Sequence, residues 1–554
     1  MRSGLRIGLL AALAGAVLLT APAAFAQETT GAIRGTVTDD AGAAIAGAAV
    51  EAVGPVGAVS TTTDDNGAFR FPRVAAGDYV VLSTAEGFIE ATAQIRVVLG
   101  EAVTVDFRMQ RGFTDEINVY SDTIAIDFSE SQTATSIGQR EIDYLPRGRD
   151  FTDVVTYAAG AVDSNQAGGI SIDGASGLEN RYIVDGLDTT DPQIGDPAIP
   201  LRAEFMEEVQ VKSAGYMAEF GGAMGGVINA VTRSGGNQYH GTALVEMSNN
   251  SWNGSARPDL EYSLVDPELA ELVTYPKDDE VRYDPGLVLS GPIVRDTLWF
   301  FGSYQPGFRT TDRTVDWVSY APDTYTQDYQ VDFATLNLTA NLWSSFLIKV
   351  GLNSSPYTQE GKLPNRDGRS DLPDQDNYAP LGEEGERSTY FANLDWIASD
   401  SFVVSGRGGF YHTNIYDTGI PTFDLIHNYS TASLPGFVDR HPEIPPEAQN
   451  GPGWLSDNLV TNTRLENIYE RTSFGIDGTW FFTGAGEHSL KAGYQTEEIF
   501  NDVTQGYNAD RILYYWDRSY TTTQGEVVSG PYGYFRLMRI ATQGEVTTRN
   551  QALF

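Results

Sequence analysis

The sequence predicts a mainly β protein in three parts: a small β-sandwich, an α+β domain and an antiparallel transmembrane β-barrel. Three observations predict it. Up to residue 110, turn signals recur about every eight to twelve residues, the spacing of a sandwich. From Arg181 to Gly241 short apolar alternations are joined by glycine- and carboxylate-rich turns, with Gly215, Gly221, Gly222, Gly225 and Gly226 close together. Beyond about Tyr239 the alternating runs lengthen and carry aromatic residues at their ends.

The N-terminus reads as an export signal over residues 1–26. Arg2 and Arg6 form a basic lead, Ile7–Leu19 is apolar, and Ala24-Phe25-Ala26 gives a small-x-small cleavage site. Past it there is no apolar run of about eighteen residues, so any membrane crossing must use strands closed into a barrel. The net charge of −38 argues against nucleic acid as a partner. With no cysteine in the chain, disulfides, thiolate metal sites and a cysteine nucleophile are excluded. His240, His412, His427, His441 and His488 are scattered, and none begins an H-x-x-E or H-E-x-x-H pattern. There is no G-x-S-x-G, and no P-loop lysine follows the glycine cluster, so neither an enzyme nor a cofactor is expected.

Residues 27–110 make the sandwich. GAIRGTVTDDAGAAIAGAAVEAV alternates, turns at Asp39–Gly42 and resumes, and AVTVDFRM gives the last strand. Asp65-Asn66-Gly67 reads as a tight turn, since the later carboxylates of a calcium loop are missing. The pattern over Gly31–Asp39, Thr63–Phe71, Gly77-Asp78-Tyr79 and Glu86-Gly87-Phe88 resembles the carboxypeptidase-regulatory-like domain. That resemblance implies a non-catalytic, prealbumin-like sandwich.

Residues 111–238 form the α+β domain. It opens on Asp115-Glu116-Ile117-Asn118-Val119, which is either one more strand or an extended segment able to pair with another protein's sheet edge. An amphipathic helix is expected over Glu141–Ala158, with Ile142, Leu145, Phe151, Val154 and Val155 on its apolar side and Pro146 interrupting it early. Tyr182-Ile183-Val184-Asp185-Gly186, the strand Phe205–Val211, and Gly215–Gly236 with Asn229 and Arg233 follow in order. These motifs resemble the plug of TonB-dependent outer-membrane receptors, and behind a regulatory-like domain they point to the Oar-like branch.

The resemblance implies a mechanism. An extracellular ligand, its class unreadable here, would bind the outer loops and the plug. A TonB-type energy transducer in the periplasm would capture Asp115–Val119 as an added strand, and the plug would rearrange to open a path. Arg147, Arg149, Arg181, Arg202 and Arg233 lie in the segment that the family fold encloses, and some should pair with lumen carboxylates, because an enclosed unpaired charge is costly. A non-transporting outer-membrane adhesin or assembly scaffold is the alternative.

Residues 239–554 supply the barrel. Ala334, Leu336, Leu338, Ala340 and Leu342 alternate with Thr335, Asn337, Thr339 and Asn341; Phe346, Ile348, Val350 and Leu352 alternate with Lys349, Gly351 and Asn353. Tyr390–Trp396, Phe474–Trp480 and Leu490–Tyr494 repeat the scheme. A soluble sandwich would alternate too, but would not pair short turns with stretches as long as Ser354–Arg387 and Ile415–Glu470. Outer-membrane lipid outside, a polar lumen inside, and loops long on one side only account for both features. About ten to twelve strands are legible, against about 22 in plugged transporters, so a truncated chain is expected; the alternative is that Phe554 ends a complete barrel.

Overall fold

The computed structural model describes residues 29–554 apart from 113–116, 119–132, 147, 165–168, 192–194, 198, 217–219, 221–222, 256–257, 263–268, 318–319, 344, 369–372, 374–377, 400, 421–424, 431–441, 443–453, 457–462, 485, 508–509, 517, 539–540 and 554. The export signal expected over residues 1–26 lies outside the described residues.

The first domain is a sandwich of two sheets. Strands β1 (Thr30–Asp39), β4 (Ala68–Ala75), β7 (Ala102–Thr104) and β8 (Phe107–Met109) form one sheet. The other holds β2 (Ala49–Gly54), β3 (Gly57–Thr62), β5 (Gly77–Thr84) and β6 (Ala91–Val97). Alternate residues of both sheets, among them Ile33, Val37, Val50, Phe69, Phe71 and Val81, meet in a closed core. The Asp65–Gly67 turn forms as expected: Asp64 Oδ1 accepts from the amides of Asn66 and Ala68, and Gly67 takes the positive φ of 75° that the turn demands.

A two-residue strand, β9 (Ile117–Asn118), adds in parallel to the edge of β6, pairing Ala91 with Ile117 and Thr92 with Asn118. Of the segment Asp115–Val119, called box-like for its expected capture by the transducer, Ile117 and Asn118 thus join the sandwich sheet, while Asp115, Glu116 and Val119 lie outside the described residues.

The middle domain begins with β10 (Thr133–Gly138). The single helix expected over 141–158 is instead two short ones, α1 (Gln139–Tyr144) and α2 (Phe151–Val155). Pro146 stands between them; it has no N–H for a helical bond and its ring blocks the preceding turn. The expected apolar face survives the break, with Ile142, Phe151, Val154 and Val155 buried and Leu145 packed against them. Strands β11 (Ala161–Asp163) and β12 (Ile170–Ile172) make a hairpin. Then β13 (Arg181–Val184), β14 (Leu187–Asp188), β15 (Met206–Ala214) and β16 (Val227–Thr232) build a sheet in the order β10-β15-β16-β13-β14.

The third part starts with β17 (His240–Asn249) and a side hairpin, β18 (Asp259–Tyr262) and β19 (Ala270–Val273). Long strands follow: β20 (Asp279–Val294), β21 (Leu298–Val315), β22 (Asp323–Leu342), β23 (Phe346–Ser354), β24 (Tyr357–Glu360), β25 (Gly382–Ser399) and β26 (Phe402–Thr418). After the short loop strands β27 (Leu425–Ser430) and β28 (Trp454–Ser456) come β29 (Thr463–Gly484) and β30 (Gly486–Tyr507). Loop strands β31 (Asp510–Trp516), β32 (Tyr520–Thr521), β33 (Val527–Val528) and β34 (Gly533–Met538) precede β35 (Ala541–Leu553).

Ten of these, β17, β20–β23, β25, β26, β29, β30 and β35, run antiparallel in one sheet, with β24 completing its eleven strands. Several are longer than the nine to eleven residues needed to cross a bilayer: β29 and β30 have 22 each, so they extend past the hydrocarbon. The stretch expected as a loop over Ser354–Arg387 also contains β24 and the first third of β25, which starts at Gly382.

This sheet is inside out relative to a soluble protein. Leu336 is 51% exposed while Asn337 beside it is 0%. Thr335, Thr339, Asn353, Asn393, Asp395, Arg407 and Arg471 are buried, whereas Leu287, Leu289, Tyr390, Trp396, Trp480 and Leu490 face outward. The polar face is buried because the middle domain sits against it; the apolar face is left for lipid.

The sandwich closes the short-turn end. Arg70 lies over the Phe481 ring at 4.6 Å, Leu99 donates its amide to Glu208 at 3.2 Å, and Gln210 Nε2 donates to the Leu99 carbonyl at 2.8 Å. On the same side Asn237 accepts from Trp299 Nε1 at 2.8 Å.

Candidate functional site

The contact between middle domain and barrel wall is organised around Val184-Asp185-Gly186. Strands β13 and β14 pair Val184 with Leu187, so Asp185 and Gly186 alone make the turn. Both have positive φ, 50° and 76°, as a two-residue I′ hairpin requires, and Asp-Gly is the sequence suited to it. The turn aims a fully buried carboxylate at the wall.

Asp185 is held from both sides. Within the middle domain, the Thr232 amide donates to Oδ1 at 3.1 Å and the Thr232 hydroxyl to Oδ2 at 2.7 Å. From the wall, Lys349 Nζ on β23 donates to Oδ1 at 2.8 Å and Asn353 Nδ2 to Oδ2 at 3.4 Å. Asn393 Nδ2 on β25 donates to the Asp185 carbonyl at 3.0 Å. Asn337 on β22 bonds the Thr232 hydroxyl and the Arg233 carbonyl, each at 2.7 Å. A cavity of about 40 Å³ lies beside this junction, lined in part by Glu207, Thr232, Lys349 and Asn393. Gly186 is itself hemmed in; a Cβ there would meet Thr29 and Arg407 at 3.2 and 3.3 Å.

Two further charge clusters join the same surfaces. Asp188 pairs with Arg181 of its own domain at 2.9 Å and with wall residue Arg471 at 2.6 Å. Burial alone would raise the Asp188 carboxyl, but the Arg181 and Arg471 guanidiniums outweigh it and hold the group down at about 2. Asp284 of β20, fully buried, collects Arg149 and Arg202 from the middle domain and Arg282 from its own strand. Arg202 also bonds Asp150 at 3.1 Å and lies 4.0 Å over the Phe333 ring.

Of the five arginines singled out in the sequence, Arg149 and Arg202 thus meet a wall carboxylate as expected. Arg181 instead pairs within its domain and shares Asp188 with a wall arginine. Arg233 rests over Phe301 at 5.5 Å, and Arg147 is outside the described residues.

The glycine-rich motif is a packing element where it is described. Gly225 leaves no room for a Cβ against Asn180 Oδ1 (2.5 Å), nor Gly226 against Ile172 (2.4 Å). The Asn180 side chain accepts from the Gly226 amide at 2.9 Å. Asn229 is fully buried in β16, opposite Ile183 and Gln210. Gly221 and Gly222 are outside the described residues. Sequence reasoning missed the wall partners Asp284, Asn393 and Arg471. Their signal was polarity on the inward phase of the alternation, which Lys349, Asn337 and Asn353 also carry.

Comparison with known proteins agrees with this architecture. Residues 32–110 match the model of the carboxypeptidase regulatory-like domain, and residues 231–339 that of an outer membrane beta barrel domain. The TonB-dependent transporter Oar of Myxococcus xanthus is 28% identical across 88% of this chain and 51% of its own. The outer membrane transporter YddB from Escherichia coli superposes with a TM-score of 0.50 at 15% identity, over 76% of this chain and 53% of that one. The chain spans about half the length of the relatives it matches. Such relatives imply the outer membrane as its location. On sequence and fold together, the chain is a homologue of a TonB-dependent transporter, with a carboxypeptidase regulatory-like domain ahead of an outer-membrane β-barrel domain.

Proposed function

We propose that this protein takes up a ligand across the outer membrane of a Gram-negative-type envelope, under the control of a TonB-type transducer, after export by residues 1–26. In this reading the middle domain is the plug, Val184–Gly186 and Gly221–Arg233 are its packing motifs, and Asp115–Val119 is the segment the transducer grips. The carrying observation is the wall contact of Asp185, Asp188, Arg149 and Arg202. At these residues it consists of separate ion pairs and side-chain hydrogen bonds that can be exchanged one at a time, with apolar contact limited to patches such as Phe205 against Val288, Phe301 and Phe333. A plug held by continuous apolar packing could not be moved so stepwise, because close-packed interiors yield cooperatively.

The box-like segment is suited to capture by strand addition, which draws its affinity from main-chain hydrogen bonds. Its described part, Ile117–Asn118, already pairs as a strand with β6 at the end of the sandwich sheet. The test is binding of the purified periplasmic domain of the host's TonB-type protein to the full-length receptor, measured by surface plasmon resonance. Deleting residues 115–119 should abolish binding while leaving the barrel folded. Equal binding by the deletion variant would remove the segment from the mechanism.

A further inference from the structure

Cations on the inner face of this barrel repeatedly end on a carboxylate: Arg282 on Asp284, Arg407 on Asp395, Arg471 on Asp188 and Lys349 on Asp185. Arg309 of β21 and Arg387 of β25 do not follow that pattern. Arg309 Cζ sits 4.8 Å from the centre of the Tyr329 ring, and Arg387 Cζ 4.3 Å from that of Tyr357. The two rings stack on each other, 5.5 Å apart and inclined by 29°. Four neighbouring strands thereby carry a row of guanidinium, ring, ring, guanidinium.

Among the described residues neither guanidinium has an ion pair or a side-chain hydrogen bond, and the Nε of each is buried without a partner. The chain has 74 acidic against 36 basic side chains. Carboxylates are therefore in surplus, yet among the described residues none is spent on these two arginines. Glu383 is close, but it accepts the Tyr357 hydroxyl and so fixes that ring in place.

The row faces the lumen, since Tyr329 and Arg309 share the inward phase of Phe333, Val331 and Gln305, all buried. It stands toward the long-loop end from Phe333, where Arg202 of the middle domain meets the wall. A guanidinium held over a ring by cation–π attraction leaves its N–H fork available, and that fork matches an oxyanion.

We infer that Arg309 and Arg387, held by Tyr329 and Tyr357, form a ligand subsite for an oxyanion, a carboxylate or phosphate group of the molecule taken up. The inference rests on the lumen being the ligand's path, as proposed above. Stacking supplies rigidity, and the unpaired guanidiniums supply the charge.

The experiment is isothermal titration of the full-length receptor in detergent with citrate and with inorganic phosphate, as separate arms. Arg309→Gln and Arg387→Gln are titrated in parallel, with circular dichroism to verify folding. Binding of either probe, weakened about tenfold or more by each substitution, is expected. Citrate alone would identify a carboxylate, phosphate alone a phosphate. Binding by neither, or binding unchanged in a folded double variant, overturns the subsite. Arg→Lys at each position keeps charge and loses the fork, so it should bind more weakly than the parent and more tightly than Gln. Transducer binding through residues 115–119 is read independently. If that binding fails while the anion site holds, the transport reading falls and the subsite stands; the reverse outcome isolates the subsite.

Discussion

Removing the Lys349 ammonium is the sharpest perturbation of the contact between the middle domain and the barrel wall. In Lys349→Met the aliphatic stem is kept and Asp185 loses the ammonium that pairs with it. At 2.8 Å the gross attraction is about 6 kcal/mol with an effective dielectric near 20. Desolvation has already consumed part of this, and breaking a buried pair from one side costs about 3–5 kcal/mol. Asp185 keeps the two Thr232 donors and Asn353, so the lower end, about 3 kcal/mol, is expected. The loss should be local. Amide exchange in residues 181–190 and 227–232 should quicken about a hundredfold, while β21 and β22 keep their protection. A cycle with Asp185→Asn separates the pair from the rest: the coupling should be about 2–4 kcal/mol. Coupling below about 0.5 kcal/mol would refute the view that this pair anchors the turn.

The remaining predictions concern protonation and the lipid face. Because the Asp188 carboxyl is held below its usual 3.8, at about 2, its stabilisation is complete above pH 4 and is lost as pH falls toward 2. It amounts to about 2 kcal/mol and should vanish from acid titrations of Asp188→Asn. Glu208 behaves oppositely: burial pushes its carboxyl from 4.5 up to about 7, against the Leu99 amide that favours the charge. The sandwich contact is therefore most stable below pH 4.5 and weakens as pH rises to 7, by about 3 kcal/mol, and Glu208→Gln should flatten that slope in limited proteolysis of the domain junction. Gly226→Ala should destabilise the middle domain by about 1–3 kcal/mol through the Ile172 clash, seen as a lower melting temperature of that domain. Leu338→Arg places a charge on the lipid face and should cost about 2–4 kcal/mol in vesicle-insertion assays if that position lies near the bilayer midplane.

Much of the architecture was legible because strands write their surroundings in a period of two. Leu336 and Asn337 already announced opposite faces, and the structure buries the polar one and exposes the apolar one as the lumen-and-lipid reading requires. The Asp185-Gly186 turn was readable for a similar reason, since few residue pairs accept two positive φ values in succession. What meets the turn was not. Lys349, Asn353 and Asn393 lie 164, 168 and 208 residues away along the chain, and alternation says only that they face inward. The helix was misread in extent because apolar spacing persists across Pro146, although hydrogen bonding cannot. The box-like segment kept both of its readings: its described residues do form a strand, and an edge strand is also what another protein can pair with.

The account's central claim is that a transducer moves the middle domain inside the barrel. The chain has no cysteine, so Ala230→Cys, at a fully buried position of β16, gives a single reporter. Its labelling by a membrane-impermeant maleimide is measured in living cells with and without the TonB-type protein. The account predicts labelling that depends on the transducer and disappears when residues 115–119 are deleted. Labelling to the same extent in cells lacking the transducer would contradict it.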